Sequence, residues 1–309
     1  ALANWRERTG QKEAEAITKA ASSRGSQMHN YLESYLLGRE NLSFFEDNEQ
    51  YKLMAKEIIE KGLKNQNTFE LKAKNLNNIF YKDESKRFHL KSFKALGGAY
   101  AVEKVTKGNK SVTVATATAG NHGRSVSWGA QRLGLSCKIF ISEFVSEARA
   151  EVMRNLGADV IRVKGNYEAS LKECINQSQK YGWQIIQDVA WKGYEEVPKL
   201  TMAGYSVMIK EISDQTNQYI THVFLQAGVG GMAAAMIAGF ANLSKNIPKF
   251  IIVEPKNADC VFQSIKNNKP TTVVIKKETI MGGMSCGDVS SIAWEILKNS
   301  VQYLSLIHI

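Results

Sequence analysis

SVTVATATAGNHGRSVSWGAQRLGLSCKIFI, residues 111–141, is the stretch that decides the fold. SVTVATA (111–117) is rich in β-branched residues and reads as a strand. HGRSVSWGAQRLG (122–134) reads as a helix stopped by glycine, and CKIFI (137–141) is a second, short apolar strand. Between strand and helix lies TATAGNHGR (116–124). There Thr118, Ala119, Gly120 and Asn121 offer backbone donors and one amide side chain at a helix start, which suits a carboxylate or a phenolate. The same residues equally suit a plain helix cap supplied by Thr118 or Asn121.

The alternation continues downstream. SEARAEVMRNLG (146–157) is a helix with Ser146 as N-cap and Gly157 as stop, ADVIRV (158–163) a strand, and NYEASLKECINQSQKYG (166–182) a helix capped by Asn166. WQIIQD (183–188) is a further strand. After a mixed segment, THVFLQA (221–227) is a strand running into GVGGM, MAAAMIAGFANL (232–243) a helix, KFIIVEP (249–255) a strand and NADCVFQSIKNN (257–268) a helix. Nearly continuous apolar strands alternating with helices predict an α/β protein with parallel sheets covered on both faces. Ligands in such sheets bind beyond the carboxyl ends of strands, which directs attention to the loops after 117, 188 and 227. Upstream, 43–63 reads as a helix capped near Asp47, and NIFYKDES (78–85) as a strand leading into a polar turn.

Composition narrows the classes of function. The chain has 309 residues, 44% hydrophobic and 23% charged, an ordinary globular balance. Its +10 formal charge is spread among interleaved acids, as in KLMAKEIIEKGLK (52–64), so neither a nucleic-acid stripe nor a basic membrane face is expected. The longest apolar run, MAAAMIAGFA (232–241), is too short to span a bilayer. Cys137, Cys174, Cys260 and Cys286 form no CxxC pair and have no histidine at ligand spacing, so no metal site is expected and a reducing, cytoplasmic setting fits. The first thirty residues lack a secretory apolar core and are expected to be flexible. The ending LSLIHI has no stop signal and reads as a truncated C-terminus.

Several groups can carry chemistry. QAGVGGMAAAM (226–236) joins a strand to a helix through glycines, a phosphate cradle or else a tight turn needing positive φ. It is neither GxGxxG nor a Walker loop. FHLKSFKALGGAY (88–100) holds Lys91 and Lys94, and spacing alone does not choose between them. Asp188 ends a strand and is a candidate base or a turn cap. His122 reads as a capping or core residue, Trp191 and Tyr194 as pocket-lining or packed rings, and Cys286 as a small buried thiol. No nucleophile elbow and no HExxH occur. Two anion loops together with a lysine suggest pyridoxal phosphate, which needs a phosphate cradle, an amine for its aldehyde and a group beside its phenolic oxygen.

Six blocks in order carry a resemblance: YKDESKRFHLKSFKALGGAYAV (81–102), TATAGNHGR (116–124), QDVAWKGYEEVP (187–198), QAGVGGM (226–232), VEPKNADC (253–260) and TIMGGMSCG (279–287). They resemble the fold-type II pyridoxal-phosphate enzymes, the tryptophan synthase β-like family, and within it the diaminopropionate ammonia-lyase group. The resemblance implies two three-layer α/β/α domains of mostly parallel sheets with the cofactor in the cleft between them. Residues 1–97 and 211–309 would form the larger, phosphate-loop domain and 98–210 the smaller, substrate-carboxylate domain. It implies that Lys94 and the Phe93 before it bind the cofactor, while Lys91 stands at the surface where the family often has asparagine. Asn121 would meet the phenolic oxygen, Thr118 to Asn121 the substrate carboxylate, and Gly228, Val229, Gly230, Gly231 and Met232 the phosphate. Asp188 would work near the substrate amine and α-hydrogen, beside a desolvated Lys94 of lowered pKa acting as base. The implied reaction is α,β-elimination of 2,3-diaminopropionate, a small amino acid, to pyruvate and two ammonia, in a homodimer. A serine or threonine dehydratase activity, or a catalytically impaired relative serving as a binding module, are the rival readings. The family's aspartate between Thr118 and Gly120 is replaced here by Ala119, which implies restriction to the L-isomer.

Overall fold

Among the described residues, seven strands, every paired one parallel to its neighbour, build two sheets within the unit formed by residues 82–309. The computed structural model describes residues 79–307 apart from 119, 218, 244, 245 and 278. The helix expected over 43–63 and the first thirty residues lie outside the described residues.

The unit opens with helix α1 (Lys94–Thr106), followed by β1 (Thr113–Ala117), α2 (Asn121–Leu133), β2 (Ser136–Ser142), α3 (Glu147–Asn155), β3 (Asp159–Val163), α4 (Tyr167–Tyr181) and β4 (Gln184–Ile185). These strands form one sheet in the order β3-β2-β1-β4. Helices α5 (Glu196–Tyr205) and α6 (Val207–Gln215) lead to β5 (His222–Gln226), α7 (Gly231–Leu243), β6 (Lys249–Pro255), α8 (Cys260–Lys266), α9 (Ser291–Ser300) and β7 (Tyr303–Ile307). The second sheet runs β5-β6-β7. Each sheet has its own apolar core: Val114, Val126, Ile139, Ile141, Met153 and Ile186 under the first, Leu225, Ile237, Phe240, Phe250, Ile252 and Leu297 under the second.

Local chemistry sets most boundaries. Asn166 caps α4 by accepting from the Ala169 N–H at 3.1 Å, and Gly134 and Gly182 close α2 and α4 in the left-handed region. Helix α8 starts later than the pattern 257–268 predicts. The buried Glu254 carboxylate accepts from the N–H groups of Val261 and Phe262 at 2.9 and 2.7 Å, and so fixes the first turn at Cys260. No strand forms over residues 79–85. Their polar end is held by side chains instead: Arg87 donates to Glu84 at 2.8 Å and to Glu211 at 2.6 Å.

Two features place the functional residues. The first is the end of β4. The strand expected over 183–188 makes ladder pairs only at Gln184 and Ile185, and the Ile186 N–H then donates to Ala115 at 2.8 Å. Beyond that point the Gln187 side chain stands in for a strand. Its amide donates to the Ala117 carbonyl at 2.9 Å and accepts from the Ala117 N–H at 3.2 Å and the Thr116 hydroxyl at 2.6 Å. The main chain is thereby free to leave the sheet and set Asp188 at the carboxyl edge of β1. Trp191 and Tyr194 stack at 4.2 Å to close the following turn, and the Tyr194 hydroxyl donates back to Ile185 at 2.9 Å.

The second is the small-residue run of α1. A Cβ added to Gly97 would lie 2.3 Å from the Tyr205 ring, and one on Gly98 would lie 2.4 Å from the Ser125 hydroxyl. Helix α1 is therefore wedged between α5 and α2 at backbone contact, and its N-terminus cannot drift.

Gln187→Leu removes an amide whose partners are buried. We expect a loss of about 2–4 kcal/mol, read as a lower urea midpoint at unchanged m-value.

Candidate active site

Lys94 is the first residue of α1, and its ammonium forms an ion pair with Asp188 Oδ2. The two side chains are 24% and 12% exposed, so the pair sits at the rim of the interior rather than on a wet surface. The Ser92 hydroxyl accepts the Lys94 N–H at 3.2 Å, and the Phe93 ring packs edge-on to Tyr205 at 5.2 Å. Lys91, by contrast, is exposed and lies in a left-handed turn with φ 56°, after Phe88 and His89, which also have positive φ. The structure thus separates two lysines that spacing alone could not.

The electrostatics differ from the expected lowered lysine. Burial by itself pushes the Lys94 pKa down, but the Asp188 carboxylate, at contact distance, overrides it and holds the ammonium well above its ordinary range. Asp188 is likewise held far below the usual carboxylate range: burial raises it, and the Lys94 ammonium in contact with it more than reverses that. As it stands, Lys94 is an ammonium, and it becomes a base or a nucleophile only after giving up a proton.

Around this pair stand two buried groups and one partly buried one. His122, in the first turn of α2, is 5% exposed, and its Nε2 lies 2.8 Å from the Ile186 carbonyl oxygen and its Nδ1 3.6 Å from Asp188 Oδ2. The Tyr205 hydroxyl is buried and has no hydrogen-bond partner among the described residues. Tyr167 accepts from the Gln187 amide at 2.6 Å. Burial pushes both phenols up, so both are neutral.

The loop after β1 is more committed than expected. The Thr118 N–H donates to the Phe140 carbonyl at 3.0 Å, extending the ladder. The Thr118 hydroxyl accepts from the Gly120 and Gly123 N–H groups at 3.0 and 3.2 Å. Two of the four donors proposed for a substrate carboxylate are therefore engaged within the chain, and Thr118 does act as a cap. Asn121 is exposed, its amide oxygen 3.4 Å from the Arg124 guanidinium, and remains available to a ligand. Ala119 lies outside the described residues.

The glycine loop after β5 leads into α7, whose first-turn N–H groups have no carbonyl behind them in the helix. Gly230 has φ +87°, and a Cβ there would lie 2.7 Å from Leu297. Gly231 faces the Asp188 carbonyl, 4.0 Å from the position a Cβ would take, which ties this loop to the lysine–aspartate pair.

Sequence reasoning gave least weight to MGGMSCG (281–287), which bridges the two loops. A Cβ on Gly228 would meet Cys286 Sγ at 3.0 Å and the Gly283 carbonyl at 3.4 Å, while Arg149 lies 3.9 Å from Gly282 and 4.0 Å from Gly120 by the same measure. His122 was also underweighted. Its one signal was its place directly after Asn121 on the inner face of a helix start.

Residues 62–307 match the family described as pyridoxal-phosphate dependent enzyme. The chain belongs to the pyridoxal-phosphate-dependent enzymes. It is 37% identical over 251 residues to diaminopropionate ammonia-lyase of Escherichia coli strain K12, covering 74% of this chain and 63% of that protein. The Salmonella typhimurium protein of the same name is 37% identical over 254 residues, with 73% and 63% covered. The crystal structure of the E. coli lyase in complex with an aminoacrylate-PLP azomethine reaction intermediate superposes with TM-score 0.66 at 37% identity, covering 72% of this chain and 61% of that one. The chain thus spans less than two thirds of the length of these relatives. Among the described residues no helix is long and apolar enough to cross a membrane, and no cluster of metal-ligating side chains occurs.

The residues present fit pyridoxal phosphate. The 281–287 segment packs against Gly228 closely enough to exclude a side chain, so the loop presents bare backbone as it runs into the N-terminus of α7, and a partly buried amine stands on the first residue of α1.

Asp188→Asn removes the charge that holds Lys94 protonated, and burial then drives its pKa down. Acylation of Lys94 near pH 8, located by peptide mapping in chain without added cofactor, should speed up while that of exposed Lys91 stays unchanged. Lys91→Asn relieves a left-handed lysine and should stabilise the fold by about 0.5–1 kcal/mol in urea unfolding.

Proposed function

We propose that this chain carries the α,β-elimination of 2,3-diaminopropionate to pyruvate and two ammonia, restricted to the L-isomer. The observation that carries the reading is the Lys94–Asp188 pair, one amine and one carboxylate held in contact where two glycine loops converge. The names of its relatives, 37% identical to it over the aligned residues, support the substrate class.

Pyridoxal phosphate, when bound, draws electron density from the substrate α-carbon so that the α-proton can leave. The chain supplies the rest. Lys94 would hold the cofactor through its amine and would free that position for the substrate amine. The N–H groups of Gly228, Val229, Gly230, Gly231 and Met232 would hold the phosphate, and the Asn121 amide would serve the phenolic oxygen. Asp188 handles the protons: it takes one from the α-carbon face it meets, and it stabilises the ammonium form that the β-amine must reach before it departs. A substrate with a second amine suits a site whose principal fixed charge is a carboxylate. Ala119 has no proton to give or take, so position 119 supplies no acid–base group.

Two further parts belong to the same proposal. Residues 98–210 form the substrate-carboxylate domain against a larger phosphate-loop domain, a reading supported by the separate cores of the two sheets. The assembly is a homodimer, which sedimentation would measure.

The test is ammonia and pyruvate release from L- and D-diaminopropionate, serine and threonine, with borohydride reduction to fix the cofactor. We expect the L-isomer to be turned over at least ~100-fold faster than the D-isomer, Ala119→Asp to raise D-isomer turnover, and the pyridoxyl group to map to Lys94. Equal turnover of the two isomers overturns the restriction. Preference for serine or threonine favours a dehydratase, and failure to retain the cofactor favours a non-catalytic relative.

A further inference from the structure

We propose that His122 is the positioning residue of the proton-transfer pair: it anchors Asp188 and stores, on Nδ1, the proton that Asp188 receives. The proposal rests on the reading of Asp188 as the acid–base group.

The argument starts from the ring's two nitrogens. Nε2 lies 2.8 Å from the Ile186 carbonyl oxygen, which can only accept, so Nε2 carries the hydrogen. The ring is 5% exposed, and burial pushes its pKa below the ordinary histidine value, so it is neutral and Nδ1 is a bare lone pair. Nδ1 has no hydrogen-bond partner among the described residues, yet it stands 3.6 Å from Asp188 Oδ2. Two acceptors face each other across a buried gap that fits one proton. A histidine kept only for packing has no need to turn an unpaired nitrogen toward the one carboxylate beside Lys94.

The geometry also ties both ends of the ring to one segment. Nε2 holds the main chain at Ile186, and Nδ1 faces the side chain two residues on. The imidazole thus braces the point where the Gln187 amide releases the chain from the sheet.

The step balances. When Asp188 has taken a proton, its O–H bond breaks and an N–H bond forms at Nδ1. The ring becomes an imidazolium donating to Ile186 and to the restored Asp188 carboxylate, and the reverse step returns the proton for the departing β-amine. No other reactant is consumed. The charged groups facing the ring are Asp188, which favours the imidazolium, and Lys94, which opposes it. Tyr167, Tyr194 and Tyr205, which face Asp188, are kept neutral by burial.

Two variants separate storage from packing. His122→Gln can keep a donor on Ile186, and His122→Asn can keep a donor on Asp188; neither can take up a proton. In holoenzyme, both should retain the borohydride-fixed label on Lys94. Both should lose kcat for the L-isomer about 10- to 100-fold, with KM changed less than about 3-fold, and should lose one ionisation from the kcat–pH profile. Independently of turnover, ¹⁵N NMR of the chain without added cofactor should show His122 protonated on Nε2 and bare on Nδ1, with the Nδ1 signal shifted in Asp188→Asn, whose amide can donate to it. Wild-type kcat and pH profile in either variant, or a proton resident on Nδ1 at neutral pH, would overturn the proposal. If the wild type shows no diaminopropionate turnover but the NMR result stands, the assigned reaction fails while the His122–Asp188 coupling survives.

Discussion

The ion pair between Lys94 and Asp188 joins two places where the chain departs from regular sheet and helix to reach the site. One partner sits on the first residue of a helix wedged between two others, the second on the third residue after a strand that ends early. Neither charge tolerates burial alone, since an unpaired ammonium or carboxylate in that position would shed its charge. Each makes the other possible, and together they fix the register between α1 and the end of β4.

Much around the pair serves to hold those two points still. Glycine contacts clamp α1 to α5 and α2 at distances that no side chain would allow. The turn before it carries Phe88, His89 and Lys91 at positive φ, a local conformational cost of order 1 kcal/mol each that the Arg87 clamp on Glu84 and Glu211 helps to offset. On the other side, Gln187 supplies through its side chain the hydrogen bonds that a longer strand would have supplied through its backbone. Both devices release main chain from regular structure without leaving polar groups unpaired.

The alternation of strands and helices was legible because it rests on periodicity, and the caps at Asn166, Gly134 and Gly182 follow from residue type. The ends of β4 and α8 were not, because each is set by one side chain reaching backbone at a distance: Gln187 to Ala117, and Glu254 to Val261 and Phe262. Lys94 was distinguishable from Lys91 only by resemblance, since both stand near one helix start; exposure and φ make the distinction physical. The direction of the Lys94 shift could not be read at all. Desolvation was predictable from an apolar context, but the partner that outweighs it lies 94 positions away in sequence.

That reversal changes what the lysine must do first. An ammonium has no lone pair, so Lys94 cannot bond to a carbonyl carbon until a proton leaves it. The nearest acceptor is the Asp188 carboxylate that stabilises the charge, and beyond it stands the bare Nδ1 of His122. Moving the proton one step discharges the lysine and neutralises the carboxylate together, without ever exposing a lone buried charge. Moving it a second step restores the carboxylate opposite an imidazolium. An amine arriving as an ammonium, as an amino-acid substrate does, then meets the same carboxylate that Lys94 has left. The charge balance of the site is therefore preserved through the exchange of one amine for another, which is the exchange that a lysine-bound cofactor requires.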